Sequence, residues 1–431
     1  MQTRPRTQRQ AKVAVVHDWL TGMRGGEAVL EAILRIYPDA DLFTLIHNRG
    51  SVSEFIENRR IFTSFIDRLP FKATKYRWYL PLFPTAIELF DFHDYDLIVS
   101  SSHCVARGIV PTPHVPHVCY IHSPKRYVWD LYQQYFPPVG LANRLIIPFF
   151  ANYLRMWDAC ARDRVDRYVC NSGFVGERIR RYYGKNSVVV PPPCIDSEAA
   201  IAIPPAASRE SFYLIVSACV PYKRLDLAIE AALTRGSQLK IVGKGPELKS
   251  LQQQAAGHAN SQCIEFLGHV DRAEIEALYS QATALLFPGE EDFGIVPIES
   301  QARGCPVIAY GSGGALESVL GDFGYTRMGS LARAPKGKRK ASGPTTGIFF
   351  PEQSAAALIA AMDRHEAQTY KAADFKKNAA RFTAAAFDRG MRGEIAAARQ
   401  SAAAGQARAI AGKGSGRSMP SGGRAKKQSF F

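Results

Sequence analysis

Two glutamates stand eight residues apart in the segment Glu290-Glu-Asp-Phe-Gly-Ile-Val-Pro-Ile-Glu299. The run before them, Ala284-Leu-Leu-Phe287, is short and apolar like a buried strand, and residues 296–302 carry helical apolar spacing. Pro297 fits the first turn of that helix, where its missing N–H costs nothing. Glu291 is therefore expected in the loop at the strand's carboxyl end, and Glu299 on the helix one to two turns later. The amides of Phe293, Gly294 and Ile295 then lie at a helix N-terminus, where free N–H groups and the helix dipole favour phosphate. Carboxylates accept from hydroxyls and amides donate to phosphate, so the set suits a ligand carrying both. On spacing alone, the same glutamates would serve equally well as a solvated loop and helix face.

The elements that position this segment repeat along the chain. Lys12-Val-Ala-Val-Val16 reads as a strand, followed by the glycine-rich turn Thr21-Gly-Met-Arg-Gly-Gly-Glu27 and a helix with Val29, Ile33, Leu34 and Tyr37 on one face. Further strands are expected at 96–100, 115–121, 167–170 and 187–193. The alternation restarts with strands at 212–217, 238–243, 264–267, 284–287 and 306–309, separated by helices. Strict β/α alternation implies parallel sheets covered on both faces. The expected fold class is α/β, two Rossmann-like doubly wound domains facing a cleft at the carboxyl ends of their strands. The boundaries read as a basic flexible arm (1–11), a first domain (12–205), a second domain (206–372) with an exposed basic loop (321–345), helices at 373–399 that pack back on the first domain, and a disordered basic tail (400–431).

The 431 residues are too many for one ordinary core and suit two. A net charge of +15 favours an anionic partner, but it concentrates in Gly/Ser/Ala/Pro-rich runs. The 8 cysteines are scattered without Cys-x-x-Cys spacing and read as reduced core residues. The first residues lack an apolar signal-like stretch, and no apolar run is long enough to span a bilayer. The expected location is cytoplasmic, peripheral on the inner face of a membrane through basic segments that attract anionic lipid. The stretch Leu145-Ile-Ile-Pro-Phe-Phe-Ala151 suits either a bilayer surface or a core.

With Gly304-Cys-Pro-Val-Ile-Ala309 and Gly313-Gly314 behind it, the Glu291–Glu299 segment strongly resembles retaining glycosyltransferases of family 4, with the GT-B fold. Val220-Pro-Tyr-Lys-Arg-Leu-Asp226, Val242-Gly-Lys-Gly-Pro-Glu247 and Phe266-Leu-Gly268 are also similar. Gly25-Gly26-Glu27 and Tyr120-Ile-His-Ser-Pro-Lys-Arg-Tyr-Val-Trp129 resemble its mannosyltransferase-like branch. The likeness covers residues 12–390. It implies that Glu299 holds the nucleotide ribose, and that Glu291 with the amides of Phe293, Gly294 and Ile295 binds donor sugar and phosphates. It further implies that Lys223 neutralises the leaving diphosphate, with Arg224 beside it. Gly243 and Gly245 approach the base through their backbone, with Leu267 among the donor contacts, and Gly25 and Gly26 face the donor phosphate. His122, at the end of a strand, positions and polarises near the sugar. Asp18, Lys125 and Arg126 are the acceptor-side candidates. Where many members carry an Arg five residues before the Lys, this chain has Ala218.

No metal and no other cofactor is expected: Asp94-Tyr-Asp96 stands at the start of a strand rather than in a loop after one, and His114-x-x-His117 has no identified third ligand. The implied activity is transfer of a hexose, mannose from GDP-mannose, to a glycan or lipid-linked acceptor with retained configuration. Two alternatives belong to other classes. One is a catalytically silent nucleotide- or glycan-binding module, which the absent Arg at Ala218 favours. The other is a nucleic-acid-binding protein, which the net charge favours and the lack of any recognition module disfavours.

Overall fold

The computed structural model describes residues 11–136, 140–141, 145–205, 209–322 and 344–414. The basic arm at 1–10, most of the basic loop at 321–345 and residues 415–431 of the tail lie outside the described residues.

Two seven-stranded sheets carry the fold. The first holds β1 (Val13–His17), β2 (Asp41–Thr44), β3 (Ile61–Thr63), β4 (Leu97–Ser102), β5 (His117–Ile121), β6 (Arg167–Cys170) and β7 (Ser187–Val189). Their order is β3-β2-β1-β4-β5-β6-β7. The second holds β8 (Phe212–Val216), β9 (Gln238–Val242), β10 (Ile264–Gly268), β11 (Ala284–Phe287), β12 (Val307–Tyr310), β13 (Gly321–Asp322) and β14 (Gly347–Phe350), in the order β10-β9-β8-β11-β12-β14-β13. Every neighbouring pair is parallel. The central strands are buried on both faces, which is why they read as continuous apolar runs rather than alternating ones. In both sheets the chain first winds outward one way and then crosses back, leaving a crevice at the carboxyl ends of β1 and β4 and of β8 and β11.

Six helices matter to the site: α1 (Gly25–Ile36), α2 (Ile147–Cys160), α3 (Gly173–Tyr183), α4 (Leu225–Arg235), α5 (Ile295–Ala302) and α6 (Ala384–Gly414). α1 buries Val29, Leu30, Ile33 and Leu34 on the first sheet. α6 returns from the second domain to the first. Its Phe387, Met391, Ile395 and Ala398 fall on one helical stripe and join the same core as α1 and β5. The helix runs on to Gly414, so residues 400–414, expected as disordered tail, are helical. Their Ala-rich composition supports a helix as readily as a loose chain.

The two domains are tied together. Cys194 N donates to Phe382 O at 2.9 Å, and Cys194, Ile195, Phe293, Ile298 and Phe382 share one apolar cluster. The Glu317 carboxylate of the second domain accepts from Gly173 N at 2.8 Å and Phe174 N at 3.0 Å. It thus satisfies the first turn of α3 in the first domain, where a negative charge is stabilised. Arg178, also on α3, pairs with Asp130 and reaches across to Asp292.

Candidate donor site

The second domain supplies the loop that leads into α5. Gly294 caps α5 with φ +92°, a conformation that side-chain-bearing residues rarely adopt. The preceding Phe293 ring is buried against Phe382, with ring centroids 5.6 Å apart. Gly314 N donates to Glu291 O at 2.8 Å, and a Cβ on Gly314 would stand 2.3 Å from Phe293 Cα. The Gly313-Gly314 pair is therefore required for the close approach that shapes the Glu291–Phe293 loop. Lys223 Nζ forms an ion pair with the Glu291 carboxylate, and both side chains are largely sheltered.

Glu299 lies one turn into α5 and lines a cavity of about 550 Å³ together with Tyr279, Arg272 and Val270 and, from the first domain, Ile195 and Met23. Tyr279 donates to its carboxylate at 3.4 Å, and Arg272 Nη1 lies at 3.5 Å. Burial raises the Glu299 pKa, with Arg272 and Tyr279 opposing it in part. A half-buried carboxylate with spare acceptor capacity on a cavity wall is suited to a vicinal diol such as a ribose.

The first domain faces it with α1. A Cβ on Gly25 would stand 2.8 Å from Ile295 Cδ1, so the N-termini of α1 and α5 meet across the cleft. A Cβ on Gly26 would be 3.8 Å from His17 Cε1 and 4.0 Å from His122 Nε2. His122 Nε2 lies 2.8 Å from Ser101 Oγ, which in turn lies 3.2 Å from His17 Nδ1. Burial, reinforced by His103 and His17, pushes the His122 pKa down to about 3. The ring is neutral throughout the physiological range, so it can position and polarise. Sequence reading missed His17 and Ser101. Their one signal was location, at the carboxyl ends of β1 and β4.

Several expectations are corrected. Asp18 does not face an acceptor. Its buried carboxylate accepts from the backbone N–H groups of His103, Cys104, Val105 and Ala106 at 2.7, 2.9, 2.6 and 2.7 Å, anchoring the turn after β4. Burial would raise its pKa, but His103, His17 and those amides outweigh it and lower it. Lys125 is likewise internal. It and Arg107 both pair with Asp158, which also accepts from Trp129 at 2.8 Å and Tyr183 at 2.9 Å. Arg126 is mostly buried between Asp130 at 3.8 Å and Asp292 at 3.6 Å, a tie between domains rather than a free cation. Arg224 takes a left-handed backbone (φ 53°), and its guanidinium is held by Asp226 rather than shared with Lys223 on Glu291. Gly243 and Gly245 are explained by packing: a Cβ would stand 1.8 Å from Ser217 O or 2.3 Å from Cys219 O. Leu267, on β10, is half-buried against the core cluster that holds Leu214 of β8 and Leu285 of β11, and Ala218 is exposed.

Among the described residues no group of three or more His, Cys, Asp or Glu is placed to hold a metal. Asp96 accepts from Lys12 N at 2.8 Å. No helix among them is long and apolar enough to cross a membrane.

Comparison with known proteins adds to this geometry. A family profile described as "Glycosyltransferase Family 4" matches residues 13–199, and one described as "Glycosyl transferases group 1" matches residues 196–382. The chain is 31% identical over 151 residues to a GDP-mannose-dependent α-(1-6)-phosphatidylinositol monomannoside mannosyltransferase of Mycolicibacterium smegmatis, covering 30% of this chain and 40% of that protein. It is 36% identical over 86 residues to a glycogen synthase of Mycobacterium tuberculosis, covering 20% and 21%. The matched stretches thus span well under half the length of these relatives. Among solved structures, Anabaena Alr3699/HepE in complex with UDP superposes with a TM-score of 0.63 at 16% identity, over 90% of this chain and 100% of that one. A sucrose-phosphate synthase from Thermosynechococcus elongatus gives 0.61 at 18%, over 92% and 100%. These structures share the GT-B fold, two parallel-sheet α/β domains in tandem.

Proposed function

Because the chain belongs to glycosyltransferase family 4, we propose that it transfers a hexose from a nucleotide sugar to a glycan or lipid-linked saccharide, with retention of configuration and without a metal. The donor assigned is GDP-mannose, in keeping with the mannosyltransferase among its relatives. The observation that carries the reading is Glu299 on the wall of a cavity of about 550 Å³ that spans both domains. The first residue of the same helix, Ile295, packs its side chain against Gly25 of the first domain.

The chemistry follows from these positions. Glu299 takes the ribose hydroxyls, and Glu291 takes hydroxyls of the sugar. As the glycosidic C–O bond breaks, negative charge grows on the diphosphate. Lys223 and the amides of Gly294 and Ile295 meet that charge, and loss of one such contact typically costs about 3–4 kcal/mol of barrier. A Glu291 engaged by sugar hydroxyls is a poor covalent nucleophile, so substitution proceeds on the front face, the departing diphosphate accepting the acceptor's proton. His122, held neutral, orients the sugar. The enzyme is assigned to the cytoplasmic face of a membrane, as a peripheral protein.

Thermal unfolding with GDP, UDP and ADP tests the reading. One nucleotide should stabilise clearly, by about 2.7 kcal/mol at a hundredfold excess over its Kd. Glu299→Ala should abolish that shift, and absence of a shift with every nucleotide would overturn the assignment. Stabilisation by UDP with hydrolysis of UDP-glucose would keep the reaction and replace the donor.

A further inference from the structure

One face of the first domain exposes far more apolar surface than its fold requires. α2 buries Ala151 and Leu154 in a small cluster that also takes in Leu80. Leu80 therefore packs on the buried side of α2. On either side of that shared core the large apolar groups turn outward. Trp78 is 67% exposed, Leu145 64% and Phe149 71%, with Leu82 and Ile146 also exposed. Phe71 is 65% exposed and is held in a left-handed backbone with φ 56°. That conformation is a genuine outlier for a bulky residue, yet it presents a ring to solvent rather than to the core. Large apolar groups left exposed on two segments that meet at Leu80 mark an interaction surface.

The charge around it says what covers it. Residues 68–83 hold Arg68, Lys72, Lys75 and Arg77 and no carboxylate; residues 145–157 hold Arg155 and no carboxylate. Asp67 at 2.6 Å neutralises Lys72, while Arg68, Lys75 and Arg77 are exposed. Lys75 Nζ sits 4.3 Å above the Trp78 ring and 5.5 Å from that of Phe71. Aromatic rings with cations beside them are the pattern of a surface seated among lipid headgroups, rings at the acyl boundary and ammonium groups at the phosphates. A second protein copy carrying the same cations would meet like charge with like.

We propose that this face, built on residues 71–82 and 145–156, docks the protein on an anionic membrane surface by inserting Phe71, Trp78 and Phe149 while Lys75 and Arg77 contact lipid phosphates. It is distinct from the basic terminal segments, which attract lipid by charge alone, and it does not depend on donor binding.

Flotation of the full chain with phosphatidylcholine vesicles, with and without phosphatidylglycerol, tests it in the absence of nucleotide. The wild type should float with the anionic vesicles. The double variant Trp78→Glu, Phe149→Glu should lose at least about tenfold in partitioning, because two inserted apolar groups each become a charge. Lys75→Ala with Arg77→Ala should weaken binding to the anionic vesicles and flatten its dependence on phosphatidylglycerol. Unchanged flotation of the double variant overturns the proposal. So does a wild-type dimer that this variant splits without any vesicle binding. Should the double variant fail to fold, tryptophan quenching by brominated lipid decides on the wild type: quenching that Trp78→Phe does not reduce would refute insertion at this site. A missing nucleotide shift would leave these results standing, so the two readings fail separately.

Discussion

Gly26→Ala separates what the fold needs at the cleft from what a ligand needs. Gly26 is the second residue of α1, and its φ is not in the left-handed region. An added Cβ would meet His17 Cε1 at 3.8 Å and His122 Nε2 at 4.0 Å, ordinary van der Waals contact. The backbone and its neighbours therefore accept alanine. Restricting the unfolded chain at such a position stabilises by about 0.4–1 kcal/mol. The activity should move the other way. A methyl group there projects toward His122, into the space where an amide at the N-terminus of α1 would approach a phosphate. Loss of one hydrogen bond to a charged group costs about 1.5–3 kcal/mol, which is about a 10- to 150-fold drop in kcat/KM. Thermal unfolding and donor hydrolysis, measured on the same preparation, give both signs. The reasoning is refuted if the melting temperature falls together with activity, since Gly26 would then serve packing. It is equally refuted if activity is unchanged, since the α1 terminus would then face no ligand.

Asp158→Asn should destabilise by about 3–5 kcal/mol in urea unfolding, because Arg107 and Lys125 are both fully buried and would lose their counter-charge. Burial raises the Asp158 pKa but Arg107 and Lys125 outweigh it, holding it well below the usual carboxylate range. Its contribution is therefore complete above about pH 4 and is lost only in stronger acid. Acid sensitivity begins earlier, at the histidines. Burial pushes His117 and His365 down to about 4 and His122 to about 3. As pH falls below about 6.5 the unfolded chain takes up protons that the native state refuses, so stability declines by up to about 1.4 kcal/mol per pH unit for each ring. A flat stability profile between pH 6.5 and 4.5 (roughly the window between the two states' pKa values) would contradict this. Glu299→Gln should raise the melting temperature at neutral pH while weakening nucleotide binding. The raised carboxyl pKa means its ionised form costs stability as pH rises through that pKa, and the amide removes the charge.

The alternation of strand and helix was legible because parallel strands are buried on both faces and stand out as unbroken apolar runs. β6 and β11 match their expected limits, and β1, β8 and β9 fall within one residue. The short edge strand β3, half-exposed, lacks that signature and was not expected. The Glu291–Glu299 loop was legible for a similar reason, since its strand, cap and helix are local. Asp18 and Lys125 were misread because their partners are remote: Asp18 is satisfied by amides some 85 residues on, and Lys125 by Asp158 on α2. A charged residue next to a cleft motif looks available until the fold supplies its counter-charge. The same limit hid His17 and Ser101, whose meaning lies in β1, β4 and β5 standing side by side.

What the two domains achieve together is a concentration of positive potential that neither could hold alone. The N-termini of α1 and α5 approach each other closely at Gly25 and Ile295, and Lys223 reaches the loop just before α5. Bringing two helix N-termini and an ammonium group together is unfavourable unless anions balance them. Two carboxylates do so, Glu27 beside Arg24 N at 3.1 Å and Glu291 on Lys223, while Glu317 does the same for the start of α3. Glu27 and Glu317 are fixed by backbone amides, but Glu291 is held by a side chain with freedom to move. On the proposed function, a diphosphate entering the cleft would compete for Lys223 with Glu291 alone, and Glu291, once released, would be free to accept from a sugar hydroxyl. On that reading, the ion pair between Lys223 and Glu291 is the point at which binding a nucleotide sugar would couple its phosphates to its sugar, in a cleft whose two sides Glu317 and Arg178 tie together.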